Sequence, residues 1–405
     1  MNPAAAVSAP ALDSHPDRQN FSLVLGGPLF QLLRRAHLSD DALHLAKKRV
    51  VVISLLTWLP LLLLSAMEGK LLPGSAPVPF LLDVEVHIRF LLALPLFIAA
   101  ELVVHQRMRT VVLQFLEREL IPECAMEQFD AAIAAAMRLR NSVPAEVGLI
   151  AFVYGVGVLI IWPQYMALDA PTWYATPTQD GASFSIAGTW FKYVSIPFFQ
   201  FILVRWYFRI LIWVRFLWQV SRIELKLVPT HPDNTGGLGF ISGSVFAFVP
   251  LLMAHGALVA GNLANRIFHL GEQLLDFKAT VALVIVALLC LVAGPLLVFT
   301  PQLTRAKRAG LREYGALAQR YVREFDTKWL RIGAHADEPL LGSADIQSLA
   351  DMGGAYEVIR GMKTVPVSRD AVLQLIAAVL APIVPLGLTI MPLEDLVKQL
   401  LGIVF

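Results

Sequence analysis

Residues 280–300 read TVALVIVALLCLVAGPLLVFT, a run without one charged side chain. About 20 such residues in a helix, rising 1.5 Å each, cross the ~30 Å hydrocarbon core of a bilayer. A helix apolar on every face belongs in a large protein core or in a membrane. The whole chain shares this character. Of its 405 residues 57% are hydrophobic and 16% charged, with a mean hydropathy of +0.63. Soluble domains average roughly 45–50% and 25%. This composition excludes a soluble enzyme of two or three domains, because so much apolar surface has nowhere to hide in water. The net charge of +2 excludes nucleic acid as the partner.

Working outward, six further stretches reach or approach the same threshold: 50–66, 87–105, 147–168, 190–218, 240–263 and 371–391. Ser39 is a candidate cap before the first, with Asp40 and Asp41 in the first turn and Lys47, Lys48 and Arg49 as anchors at the membrane surface. The loops alternate in basic content. The segment before the first span carries Arg34, Arg35, Lys47, Lys48 and Arg49, while the next loop holds only Lys70. Residues 169–189 contain no Lys or Arg, and eleven lie between Arg305 and Arg369. By the positive-inside rule the N-terminus faces the cytoplasm and the tail after the seventh span lies outside. The expected fold is all-α: a bundle of about seven transmembrane helices with cytoplasmic helical extensions.

The expected organisation is a disordered cytoplasmic tail (1–20), interfacial helices (21–49), a six-helix membrane region (50–300), a cytoplasmic helical segment (301–370) and a seventh helix with a short outer tail (371–405). Residues 1–20 lack the basic start and apolar run of a secretory signal. In the cytoplasmic segment Leu311, Tyr314, Ala318, Tyr321, Phe325 and Trp329 recur at helical spacing, with Arg308, Arg312, Arg320 and Arg323 mostly off that face. A second helix is expected over 345–362. No strand-like alternation stands out. Trp58, Trp162, Trp173 and Trp190 read as an outer aromatic belt. Two cysteines, Cys124 and Cys290, exclude a disulfide framework and are expected at different depths, as packing residues.

Three features are candidates for chemistry. The first is an intramembrane charge cluster of Glu101, Arg205, Arg209 and Arg215. A charge at mid-bilayer costs roughly 2.5–3.5 kcal/mol on insertion scales, so it turns inward and pairs. Glu101 is placed to pair with Arg209 or Arg205. The cluster reads either as a basic cavity for an anionic solute or as an ion pair that sets helix register. The second is the loop His231-Pro-Asp-Asn-Thr-Gly-Gly-Leu-Gly-Phe240. Gly236, Gly237 and Gly239 permit positive φ and close backbone approach, and successive amides at a helix start form an anion site, with Arg222 and Lys226 nearby. The loop reads either as a site for a phosphate or lipid headgroup, or as a tight turn with Asp233 or Asn234 capping. It is no P-loop, lacking the Gly-Lys-Ser/Thr ending. His231 and Asp233 alone fall short of a metal site, and no cofactor motif is present. The third is a polar relay of His255 and Asn262 in the fifth span, for which an ordinary interhelical hydrogen bond is the alternative. Every span also carries proline: Pro60, Pro95, Pro163, Pro197, Pro250, Pro295, and Pro382 with Pro385. Each removes a helical hydrogen bond, and transporters use such breaks at binding sites.

The His231–Phe240 loop, together with Asp345-Ile-Gln-Ser-Leu-Ala-Asp351, Val358-Ile-Arg-Gly-Met362 and Val365-Pro366, resembles an uncharacterised family of bacterial polytopic membrane proteins. The resemblance implies a bacterial inner-membrane protein and carries over no catalytic residue. Two functions stay open. One is a transporter- or channel-like protein for a small, anionic solute. The other is a non-transporting scaffold or sensor whose basic cytoplasmic helices bind lipid headgroups or a partner. Expected partners are the bilayer, anionic headgroups and further copies of the chain. No nucleophile–base constellation supports an enzyme.

Overall fold

In hydrocarbon a backbone must satisfy its own hydrogen bonds, which leaves an apolar run little choice but helix. The computed structural model describes residue 18 and residues 21–35, 45–161, 171–178, 181–332 and 343–389, and nearly all of its regular structure is helical. In chain order the helices are α1 (Pro28–Arg35), α2 (Ala46–Met67), α3 (Val84–Glu117), α4 (Met126–Arg140), α5 (Val143–Ile160), α6 (186–220), α7 (Gly239–Leu270), α8 (Leu274–Arg331), α9 (Ala344–Gly361) and α10 (Arg369–Leu380). Among the described residues five are long and apolar enough to cross a membrane: α2, α3, α5, α7 and α8. The expected fourth and seventh spans fall short of that standard. Helix α6 carries Lys192, Arg205, Arg209 and Arg215, and α10 gives way to a 3-10 turn at Val384–Thr389. The proposed Ser39 cap, Trp162 and the segments 1–17 and 390–405 lie outside the described residues.

Prolines shape the helices in a repeated way. Pro95, Pro197, Pro250 and Pro301 are each the second residue of an α stretch that follows a non-α turn. Before Pro95 and Pro197 the turn widens, so that Leu94 N–H bonds Arg89 O and Ile196 N–H bonds Phe191 O. Before Pro250 and Pro301 it tightens, with Val249 N–H on Phe246 O and Thr300 N–H on Leu297 O. The ring excludes the carbonyl four residues back, and either change of pitch moves that carbonyl away. Pro197 orphans the Tyr193 carbonyl, which accepts instead from Tyr154 Oη at 3.2 Å.

The connections gather at two ends. At one, Lys226 N donates to Leu120 O (2.9 Å), Gln302 Nε2 to Ser221 O (2.7 Å) and Lys363 N to Asn234 O (2.7 Å). This end collects the basic loops. At the other, Trp173 Nε1 and Asn265 Nδ2 both donate to Asp83 at 2.8 Å, and Glu68 accepts from Ile186 N (2.8 Å). Here two short antiparallel strands, β1 (Ala175–Thr178) and β2 (Gly181–Phe184), pair Ala175 with Phe184 and Thr178 with Gly181. The sequence shows no alternation there because each strand is only four residues long. Trp173 is fully buried, edge-on to Phe80 at 5.0 Å, and so is no part of an aromatic belt.

Helix α8 continues through residue 300, from the expected sixth span into the expected cytoplasmic segment. Its 58 residues, with a tightened turn at Gly294–Phe299, span about 87 Å at α-helical rise, nearly three times the ~30 Å hydrocarbon core. Helix α9 returns antiparallel along the distal part: Tyr321 Oη donates to Asp345 O (2.9 Å) and Lys307 Nζ to Met362 O (2.8 Å). Leu311, Tyr314, Ala318, Tyr321, Phe325 and Trp329 are all half-buried, while Arg308, Arg312, Arg320 and Arg323 are exposed. Residues 21–24, expected at the interface, are buried, and Phe21 stacks into the core 5.1 Å from Phe216. Both cysteines are exposed, Cys290 on a face of α8 where Leu283 and Val286 are exposed too. Such bare apolar faces have a natural solvent in hydrocarbon.

Candidate functional site

Four helices converge on one buried charge cluster near the basic end. Arg205 and Arg209 lie one turn apart on α6 and therefore on one face. Arg209 Nη1 donates to Glu101 Oε1 of α3 at 2.7 Å, and Arg205 Nη1 lies 3.9 Å from the same oxygen. Arg205 Nη2 pairs with Glu146 Oε1 of α5 at 3.1 Å. Arg49 of α2 pairs with Glu101 Oε2. All five side chains are buried.

Two of these residues escape sequence reasoning. Arg49 is no surface anchor: it is 2% exposed, whereas Lys47 and Lys48 are exposed. Arg49 shares a four-residue stripe with Ile53, Thr57 and Leu61, all buried, but α2 is apolar on every face, so nothing in the sequence singles that stripe out. Glu146 stands in the first turn of α5, where an acid is common at a helix start and marks no partner by itself. Arg215 does not join the cluster and is exposed. It stands six residues beyond Arg209, about 240° around the helix at 3.6 residues per turn.

The N-terminal segment closes the cluster on one side. Glu146 Oε2 accepts from Leu29 N at 2.8 Å, and Arg205 Nη2 reaches Gly26 O at 3.5 Å. Gly27 holds φ +88°, and a Cβ there would stand 3.0 Å from Glu146 Oε1. Glycine is required at that position by both conformation and space. Between α2, α3 and α6 a cavity of about 220 Å³ ends on Arg49, Glu101, Arg205 and Arg209, with otherwise apolar walls.

The glycine loop is built differently from an anion site. Asp233 Oδ1 accepts from Thr235 N (2.8 Å) and Gly237 N (3.1 Å), and Oδ2 accepts from Gly239 N (2.9 Å). The amides that would hold a phosphate hold the chain's own carboxylate. Burial alone would raise the Asp233 pKa, but these amides, with His231 beside them, bring it below the usual aspartate value. Gly236 and Gly237 take φ +65° and +97°. Arg222 lies over the Trp218 ring (5.0 Å) and Lys226 is exposed. The basic side chain at the loop is Arg118, whose Nη1 donates to Gly237 O at 3.1 Å. His231 Nδ1 stands 2.9 Å from Asp233 Oδ1, and among the described residues no three metal-ligating side chains gather.

His255 and Asn262 belong to separate groups rather than one relay. His255 Nδ1 bonds Leu251 O at 2.7 Å, so Nδ1 carries the proton and Nε2 accepts from Tyr207 Oη at 2.8 Å. Asn262 Nδ2 reaches Glu85 Oε2 at 3.4 Å, in the network around Asp83 at the opposite end. That network, formed with Asn265 and Trp173, has no sequence signature because its members are scattered along the chain.

Comparison with protein-family models, curated proteins and solved structures finds no match for this chain. Its several long apolar helices and all-α build are compatible with an integral membrane protein, and its function rests on the geometry of the site.

Proposed function

We propose that the chain is a multi-pass protein of a bacterial inner membrane that handles a small anionic solute in the manner of a transporter or channel. In this reading α6 and α10 are the fourth and seventh spans, and the basic end with the N-terminus faces the cytoplasm. The shared end of the basic loops supports that orientation. One observation carries the function: the cavity ends on three guanidiniums around Glu101, and two of them, on Arg205 and Arg209, lie one turn apart on α6. A low-dielectric pocket with a positive end attracts an anion far more strongly than the same charges would in water.

The test uses the purified protein in liposomes. Anions of graded size are screened for tracer flux, and for thermal stabilisation at constant ionic strength. A ligand at a hundred times its Kd adds about 2.7 kcal/mol. Stabilisation by an anion that Arg205→Gln abolishes supports the reading. Equal melting temperatures and no flux across the panel overturn it.

A second reading has its own support. Arg305, Arg308, Arg312, Arg320 and Arg323 are exposed along α8, a surface suited to anionic headgroups in a scaffold or sensor. Replacing all five with Gln should then abolish capture of anionic vesicles by the protein held in phosphatidylcholine nanodiscs and leave anion stabilisation at the cavity unchanged; undiminished capture would overturn this second reading.

A further inference from the structure

We infer that the occupant of the α2–α3–α6 cavity is an amphiphile: one hydrocarbon chain bearing a single negative head, carboxylate or phosphate monoester, that enters sideways from the bilayer. The inference rests on the anion reading above and narrows its substrate class. Charge comes first. Arg49, Arg205 and Arg209 face Glu101 and Glu146, leaving one positive charge over within these five buried residues. A buried unpaired charge is costly, and one monoanionic head cancels it.

Arg49 supplies the second observation. It lines the cavity at 2% exposure, and among the described residues its Nε has no hydrogen-bond partner. A buried donor left unsatisfied is costly, and Arg49, which lines the cavity, relieves that cost by turning it toward an acceptor held there.

The walls decide what else the ligand carries. Away from the charged end they are Val52, Ile53, Leu56, Ile98, Phe198 and Ile202, with Leu29 and Leu32 of α1 completing the lining. A hydrated inorganic anion would shed water along that surface and regain hydrogen bonds only at one end. A hydrocarbon chain loses nothing there. The rim has the right solvent, since Leu32, Val52 and Leu56 are all exposed among the bare apolar side chains of the helices. Ser195 Oγ donates to Thr57 O at 2.8 Å and ties α2 to α6; the cavity occupies the gap between the two helices beyond that tie. At about 220 Å³ it holds the head and first carbons of one chain, with the remainder lying in the bilayer.

The experiment measures binding of radiolabelled dodecanoate to the full-length protein in phosphatidylcholine nanodiscs, against empty discs. Saturable binding displaced by dodecyl phosphate, but not by dodecanol, acetate or inorganic phosphate, is the expected result. Leu56→Trp, at the exposed rim, should weaken dodecanoate by about tenfold with the melting temperature unchanged. Arg49→Lys, which keeps the charge and removes Nε, should weaken it as well. Displacement by acetate or inorganic phosphate as effective as by dodecyl phosphate overturns the amphiphile and leaves the anion reading standing. Displacement by dodecanol as effective as by dodecyl phosphate overturns it too, because the head charge would then count for nothing. Absence of binding by dodecanoate and by every small anion removes both readings together.

Discussion

At the scale of single residues, Glu101 has two guanidinium partners within hydrogen-bonding reach, Arg209 and Arg49, and Arg205 at 3.9 Å. Glu101→Gln should therefore cost about 3–5 kcal/mol, the loss typical of breaking a buried pair from one side. Adding Arg209→Met should restore only part of it, because Arg49 stays uncompensated. Strictly additive losses in that thermal-melt cycle would show that the two do not interact. Asp233 makes a second test. Asp233→Asn keeps Oδ1 for Thr235 and Gly237 but turns an amide NH₂ toward Gly239 N–H, so it should cost about 1–3 kcal/mol. The pH dependence follows from the depressed pKa. Stability contributed by Asp233 is complete above the usual aspartate value and is lost as pH falls through the lower folded value. The gap between wild type and Asp233→Ala should accordingly be full at neutral pH and begin to close only below about pH 4. A gap that is constant down to pH 2 would show that the carboxylate charge contributes nothing.

At the scale of elements, proline pitch changes and glycine contacts fix how the helices meet. Helix α7 approaches α10 at Gly256, where a Cβ would run into the Val379 carbonyl. Small residues at such crossings let backbones touch, which is the main source of helix association where hydrophobic driving force is absent. Gly256→Ala should lower stability by about 1–3 kcal/mol through overpacking. Gly243→Ala, with no neighbouring atom within 4 Å of the added Cβ, serves as its control and should be neutral or slightly stabilising. Similar melting temperatures for the two variants would mean that the α7–α10 contact gives way easily. The π and 3-10 turns were only half legible in advance. Each proline announces a broken hydrogen bond, but the spacing of residues does not say whether the turn widens, as before Pro95 and Pro197, or tightens, as before Pro250 and Pro301.

At the scale of the whole molecule, the alternation of loops between two ends yields an accessibility pattern. Cys124 lies exposed on the basic end and Cys290 is exposed on the apolar face of α8. In a protein carrying one reactive cysteine at a time, and with the orientation proposed above, a membrane-impermeant maleimide should label Cys124 only from the cytoplasmic side. Ser183→Cys in β2 should react only from the other side, and Cys290 only with a lipid-soluble reagent. Labelling of Cys124 and Ser183→Cys from the same side would overturn the arrangement of the two ends in the membrane.

The part of the fold legible along the chain is the part whose backbone has a single way to satisfy itself. Residues 280–300 had to become helix, because uncharged backbone in hydrocarbon can bond only within itself. The face of Leu311, Tyr314 and Tyr321 was readable for the same reason, since a periodicity needs no partner to be seen. Glu101 and Arg209 advertised their pairing because a charge is conspicuous within a long apolar run. Tertiary structure alone decided which of Lys48 and Arg49 turned inward, since neighbours in a helix differ by about 100° and only the position of α3 makes one direction profitable. It alone filled the glycine loop with Asp233, and it buried Trp173 against Asp83 across 90 residues of chain. These outcomes depend on which faces meet, and packing of that kind leaves no mark in the spacing of residues along one segment.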